Sequence, residues 1–222
     1  MHLHEDFGNL WSIGKQRKPA RLHRGLGSLV AAVAVVFSLA LSAPPAAAVD
    51  LYEFDPAHSS IGFGVRHMVI TTVRGKFNKF EGRILYDPEN ITQSSVEVSI
   101  EAASIDTGIQ KRDNHLRSAD FFDVEKHRQI TFKSQRIEKT ADGFVAHGPL
   151  TMHGVTKEVA IPFTVAGPVK DAWGGLRIGA EANLTIDRRD WGLNWNQALE
   201  AGGVLVDNNV RIELNVQAVK RS

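Results

Sequence analysis

Apolar and polar residues alternate along most of the chain beyond residue 50, and a period of two places alternate side chains on opposite faces of a strand. In Asp55–Met68 (DPAHSSIGFGVRHM), Ile61, Phe63 and Val65 alternate with Gly62, Gly64 and Arg66. Asp55 and His58 stand before this strand and His67 at its end. Leu51–Phe54 predicts a short strand ahead of it, ended by Asp55-Pro56. Arg74–Phe77 and Phe80–Tyr86 read as one broken strand, bent at Gly75 and Gly82, because glycine inside a strand marks a bulge or tight bend. Asp87-Pro88-Glu89-Asn90 has the composition of a turn.

The alternation resumes at Val96, Val98, Ile100 and Ala102. It fails between Ile109 and Phe122, where Gln110–Arg117 is polar and helix-compatible and Leu116, Ala119 and Phe122 give one apolar edge. This predicts a short helix packed as a cap. Strands follow at Gln129–Arg136, Phe144–Leu150 and Val155–Val165, with Ala141-Asp142-Gly143 as a hairpin turn. After a turn at Asp171–Gly175, Leu176–Ile186 carries the longest alternation: Leu176, Ile178, Ala180, Ala182, Leu184 and Ile186 share one face. Val210, Ile212, Leu214 and Val216 do the same in Val210–Ala218.

About eight half-buried strands with short connections require an antiparallel sheet, since parallel crossovers need longer ones. Such strands close as a barrel or stack as a sandwich. Eight strands make a barrel just wide enough to be filled by side chains or to hold one small ligand. Ala102, Ala180, Ala182 and Ala218 are small residues in the inward phase, which favours a cavity.

The first 48 residues of the 222 depart from this pattern. Lys15, Arg17, Lys18, Arg21 and Arg24 precede an uncharged 18-residue run, Leu26–Ala43, and then Pro44, Pro45 and Ala46-Ala47-Ala48. This is the layout of a secretory signal peptide, with cleavage expected after Ala48. A retained membrane anchor is the rival, because 18 residues is the lower limit for spanning; the alanine-rich run, the prolines and the cleavage pattern favour removal. The expected protein is one domain, Val49–Ser222, periplasmic or secreted, with no membrane span after cleavage. It keeps 21 basic and 23 acidic residues, a formal charge of −2, so no basic surplus draws nucleic acid. There is no cysteine, and the domain must rely on its own core.

The order of motifs resembles the YceI-like family of exported polyisoprenoid- or lipid-binding proteins. The resemblance is carried by Asp55-x-x-His58-Ser59 with Phe63 and His67-Met68; by Val73-Arg74-Gly75-x-Phe77 with Phe80-x-Gly82; and by Ser104-Ile105-Asp106-Thr107. It continues through Arg112-Asp113-x-His115-Leu116-x-Ser118-x-Asp120-Phe121-Phe122-Asp123, Gly148-x-Leu150-Thr151-Met152-His153-Gly154-Val155-Thr156-Lys157 and Arg188-x-Asp190-Trp191-Gly192. It implies a fold that is all-β with a helical insertion: a lipocalin-like eight-stranded antiparallel barrel enclosing an apolar tunnel. It further implies an isoprenoid or similar fatty amphiphile as ligand, and often a homodimer. Two residues depart from the family pattern: Arg128 stands where a proline is usual, and Pro149 interrupts a strand, which predicts an edge or bulge there.

Asp55, His58, His67, His115 and His153 are the residues to weigh as a metal or acid–base site. Their spacing matches no metal motif and there is no Cys, so they read as hydrogen-bonding partners of turns and strand ends, with no metal or cofactor expected. Ser59, His153 and Asp106 make a triad only on paper, without a nucleophile elbow, so no catalytic residue is assigned. Arg112–Asp123 reads both as a network pinning the helix and as a lid whose aromatics touch a ligand. Phe63, Phe77, Phe80, Phe132 and Phe163 read as core in a solid domain and as wall in a hollow one. Under the barrel reading they join Val65, His67, Phe121, Phe122 and Trp191 as candidate ligand contacts, while Arg188-x-Asp190-Trp191-Gly192 reads equally as a motif that fixes a strand end. A binding protein is the first functional reading. The alternatives are an enzyme on a lipid-like substrate using His and Asp at the barrel mouth, and a solid β-domain serving adhesion or assembly.

Overall fold

The computed structural model describes residues 49–200 and 203–221; the signal peptide expected over residues 1–48 lies outside them. Twelve strand segments occur among the described residues: β1 (Asp50–Phe54), β2 (Ser60–His67), β3 (Thr71–Phe77), β4 (Phe80–Tyr86), β5 (Ser95–Glu101), β6 (Ile105–Asp106), β7 (Gln129–Lys133), β8 (Arg136–Thr140), β9 (Gly143–Met152), β10 (Val155–Lys170), β11 (Leu176–Asp187) and β12 (Val206–Lys220). The helix α1 spans Gln110–Arg117.

The segments combine into eight strands. β1 and β2 are successive pieces of one strand that both pair with β12, at Phe54↔Ala218 and Ser60↔Asn215. β3 pairs with β2 and β4 with β1, so β3 and β4 form the next strand. β5 and β6 lie beside that strand, and β7 and β8 both pair with β9. The meander continues through β10 and β11 to β12, which meets β1 and closes an antiparallel barrel. Closure removes the exposed sheet edges that a sandwich of these strands would leave.

The register carries the predicted inner faces intact. Ile178, Ala180, Ala182, Leu184 and Ile186 pair with Ala218, Val216, Leu214, Ile212 and Val210. Leu214, Ile212 and Val210 pair in turn with Ile61, Phe63 and Val65. A one-residue slip anywhere along this series would turn an apolar face to solvent, so the pattern fixes the register.

Gly75 and Gly82 are not bends. β3 runs in unbroken register against β2, with Phe63 opposite Gly75, and the break falls later, at Asn78-Lys79. These glycines make room for aromatic rings: a Cβ on Gly75 would lie 2.4 Å from Phe63 Cζ, and one on Gly82 2.5 Å from the Phe54 ring. The expectation at Pro149 takes a definite form, since Pro149 lies opposite the gap between β7 and β8. At Arg128 the start of β7 is held without proline, because the Arg128 carbonyl accepts from Ala102 N at 2.9 Å.

Helix α1 is held by side chains rather than by an N-cap. Buried Asp113 accepts from Thr107 N (2.9 Å) and Thr107 Oγ1 (2.5 Å). Arg112 donates to Thr107 Oγ1 and Thr107 O, and Arg117 to the carbonyls of Ala103 and Ile105. The pinning network expected of this segment is therefore present, and it ties the helix to the β5–β6 strand.

Candidate lipid-binding cavity

A cavity of about 270 Å³ runs inside the barrel, close to the lower end of the range for small-ligand sites. Its wall extends from Phe54, Ile84, Tyr86 and Ile91 at one end to Phe121, Phe122, Ile186 and Leu193 at the other. The inward faces of β2, β11 and β12 supply much of the length between. A solid sandwich is thereby replaced by a hollow barrel.

The wall brings together most of the residues picked out by sequence: Phe63, Val65, Phe77, Phe121, Phe122, Phe132 and Phe163. Phe63 and Phe77 have ring centroids 5.8 Å apart, and Phe77 meets Phe122 edge-on at 5.9 Å. These contacts link β2, β3 and the segment after α1 into one aromatic wall. Leu116 joins it from the helix, so Arg112–Asp123 both pins the insertion and contributes apolar side chains to the cavity.

Three expected residues stand outside the wall. His67 has the inward phase of Phe63 and Val65, but it is the last residue of β2 and sits half-buried at the rim. Phe80 packs against the core cluster that holds Ala102 and Ile105. Trp191 is only 2 % exposed, and its Nε1 donates to Leu150 O at 3.1 Å while its own carbonyl meets His153 Nδ1 at 3.0 Å. It is an internal brace. Of the four small inward residues, Ala180 and Ala182 line the cavity, whereas Ala102 and Ala218 are buried in side-chain clusters.

The histidines and aspartates weighed as a chemical site are tied into turns and strand ends, His67 aside. Asp55 Oδ2 meets His58 Nδ1 at 2.8 Å and Arg177 Nη1 at 2.8 Å, and Arg177 Nε donates to Asp171 Oδ2 at 2.7 Å. The His58 hydrogen bond, followed by that from Arg177, holds the Asp55 carboxyl below the usual carboxylate range, and Arg177 does the same for Asp171. Asp187 is pulled down to about 2 by the Arg189 guanidinium. His115 pairs with Asp120 at 2.9 Å. Ser59 is bonded to the Gln217 backbone, His153 to Trp191 O, and Asp106 to Asn78 and Gly108 N, so the paper triad has other partners throughout. Among the described residues, no group of three His, Cys, Asp or Glu side chains is placed to hold a metal ion.

Sequence reasoning missed Arg188 as part of the wall. It follows Leu184 and Ile186 in the same phase, so extending the alternation of β11 by two residues puts an arginine on the inner face. Among the described residues lining the cavity it is the only charged one.

Sequence and fold comparisons agree with this architecture. The YceI-like domain model matches residues 52–218. A UPF0312 protein of Vibrio cholerae is 37 % identical over 192 residues, which cover 85 % of this chain and 97 % of the relative. The crystal structure of Burkholderia cenocepacia BcnA superposes with a TM-score of 0.65 at 25 % identity, covering 74 % of this chain and 98 % of that one. A polyisoprenoid binding domain from Saccharophagus degradans, implicated in plant cell wall breakdown, shares the fold with a TM-score of 0.56 at 14 % identity, over 78 % of this chain and 99 % of that one. With a barrel of this topology and a family match from the first strand to the last, the chain belongs to the YceI-like family.

Proposed function

We propose that this protein is an exported binding protein that sequesters or carries an isoprenoid or similar amphiphilic lipid, its tail lying in the barrel. The observation that carries the reading is the cavity wall: rings and branched aliphatic side chains over almost its whole length, with Arg188 the one charge. Such a wall binds by removing apolar surface from water. One five-carbon isoprene unit is worth roughly 4 kcal/mol of gross burial. After an association cost of at least about 4 kcal/mol, three or more well-packed units are needed to reach about micromolar affinity. The likeness in fold to a polyisoprenoid binding domain supports the same ligand class.

The leader in residues 1–48 supports export, with Val49 as the first residue of the mature protein. Binding of this kind needs no activated side chain. The test is to purify the mature protein, extract it with organic solvent and identify the lipid by mass spectrometry. A prenyl or fatty amphiphile in near-stoichiometric amount is expected. A barrel that yields no lipid and takes up no prenyl quinone contradicts the proposal.

A further inference from the structure

Arg188 is 4 % exposed and forms part of the wall of an otherwise uncharged cavity. Its Nε donates to Asp207 O at 3.0 Å and its Nη1 to Leu193 O. Its Nη2 is buried without any partner, the only such side-chain atom among the described residues. A buried donor left unmade costs free energy, more so on a charged group, and one orphan among the buried side-chain donors and acceptors of the described residues calls for a partner.

The charge is as poorly matched as the donor. Both acceptors of Arg188 are neutral backbone carbonyls, and among the described residues no carboxylate forms an ion pair with it. The two nearby acids are engaged elsewhere: Asp187 Oδ2 pairs with Arg189 Nη2 at 2.5 Å, and Asp207 Oδ1 accepts from Asn209 N. Two fixed carbonyls hold the guanidinium in place and leave its third nitrogen free. Burying a cation this way is costly unless a counter-charge arrives. An arginine fork suits carboxylate or phosphate oxygens in particular.

We infer that Arg188 is the head-group anchor of the cavity, and that the ligand is an amphiphile carrying an anionic oxygen head, carboxylate or phosphate, on a long apolar tail. This rests on the lipid-binding reading above and deepens it. The tail then runs from Arg188 along the Ile186, Leu184, Ala182 and Ala180 face of β11.

Matched probes test the assignment. Delipidated wild-type protein is titrated at pH 8 with geranylgeranyl monophosphate against geranylgeraniol, and with palmitate against hexadecanol. Within each pair the tail is constant and only the head charge differs. The anchor predicts at least about tenfold tighter binding of the charged member in one or both pairs, and the pair that responds identifies the head. Arg188→Gln is expected to reduce that preference to within about twofold, and Arg188→Lys to keep part of it. Equal affinity for charged and neutral members overturns the anchor but leaves the lipid-binding reading standing, as does a folded Arg188→Gln protein that keeps its preference. Failure of all four probes to bind overturns the anchor, and overturns the lipid-binding reading as well where prenyl quinone is also refused. If Arg188→Gln does not fold, the wild-type pairs decide alone.

Discussion

Phe63 lies across Gly75: the two are partners in the β2–β3 register, and a Cβ on Gly75 would fall 2.4 Å from Phe63 Cζ. The glycine is thus a seat for a ring that lines the cavity. Gly75→Ala is expected to drive Phe63 inward, destabilising the fold by about 1–3 kcal/mol as overpacking does. Binding of a prenyl ligand should weaken with it. Denaturant unfolding and a binding titration check the two effects. A variant as stable as wild type with undiminished affinity would show that the ring has room elsewhere.

The Asp55 cluster predicts a particular acid response. His58 and Arg177 lower the folded-state pKa of Asp55, so the carboxylate contributes stability above its unfolded pKa of 3.8, and that contribution is lost as pH falls through the lower folded value. Asp55→Asn should therefore melt a few degrees below wild type at pH 7, and the gap should close as pH is brought below the folded value. Thermal melts across the acid range measure this. A gap that persists unchanged into strong acid would mean that the carboxylate charge is not the source.

The β2–β3 turn carries strain that a single change relieves. Met68 and Val69 have φ of +52° and +61°, and Val69 is 71 % exposed. A branched side chain in the left-handed region is unfavourable, and turns with two positive φ values favour glycine at the second centre. Val69→Gly should stabilise the protein by about 0.5–1 kcal/mol, read as a rise in denaturation midpoint without a change in slope. An unchanged or lower midpoint would contradict this account of the turn.

Trp191 and Phe122 separate bracing from lining. Trp191 is almost fully buried and hydrogen-bonded at its indole and its carbonyl, so Trp191→Ala should cost about 3–5 kcal/mol. Trp191→Phe should retain ligand affinity in whatever fraction folds. Phe122→Ala, at the cavity wall, should weaken binding instead. The reverse result would return Trp191 to the ligand site.

Much of the barrel was legible because its strands are wet on one face. Alternation such as Val96–Ala102 and Leu176–Ile186 marks both the element and its inward side, and short turns leave only antiparallel neighbours. What alternation does not reveal is where a strand runs out of barrel. His67 keeps the inward phase yet reaches only the rim, and Arg188 keeps it beyond β11 and still joins the wall. Phase reports direction, whereas burial depends on which neighbours lie opposite. Gly75 and Gly82 were misread for a related reason. A glycine that bends a strand and one that admits a ring from the next strand look alike until Phe63 and Phe54 are placed across them. Trp191 read equally as a brace and as a ligand contact because the partners that bury it, Leu150 and His153, lie about forty residues away.

If the hollow barrel holds the tail of an amphiphile, filling the hollow abolishes binding. Ala182 lines the cavity between Phe163 and Leu214, its partners in the sheet. Native mass spectrometry of wild type and Ala182→Phe, each delipidated and then offered the same prenyl quinone, compares bound ligand per chain. About one ligand is expected on the wild-type protein and little or none on a folded Ala182→Phe variant. Equal loading of the two would contradict it, because the ligand would then lie outside the barrel.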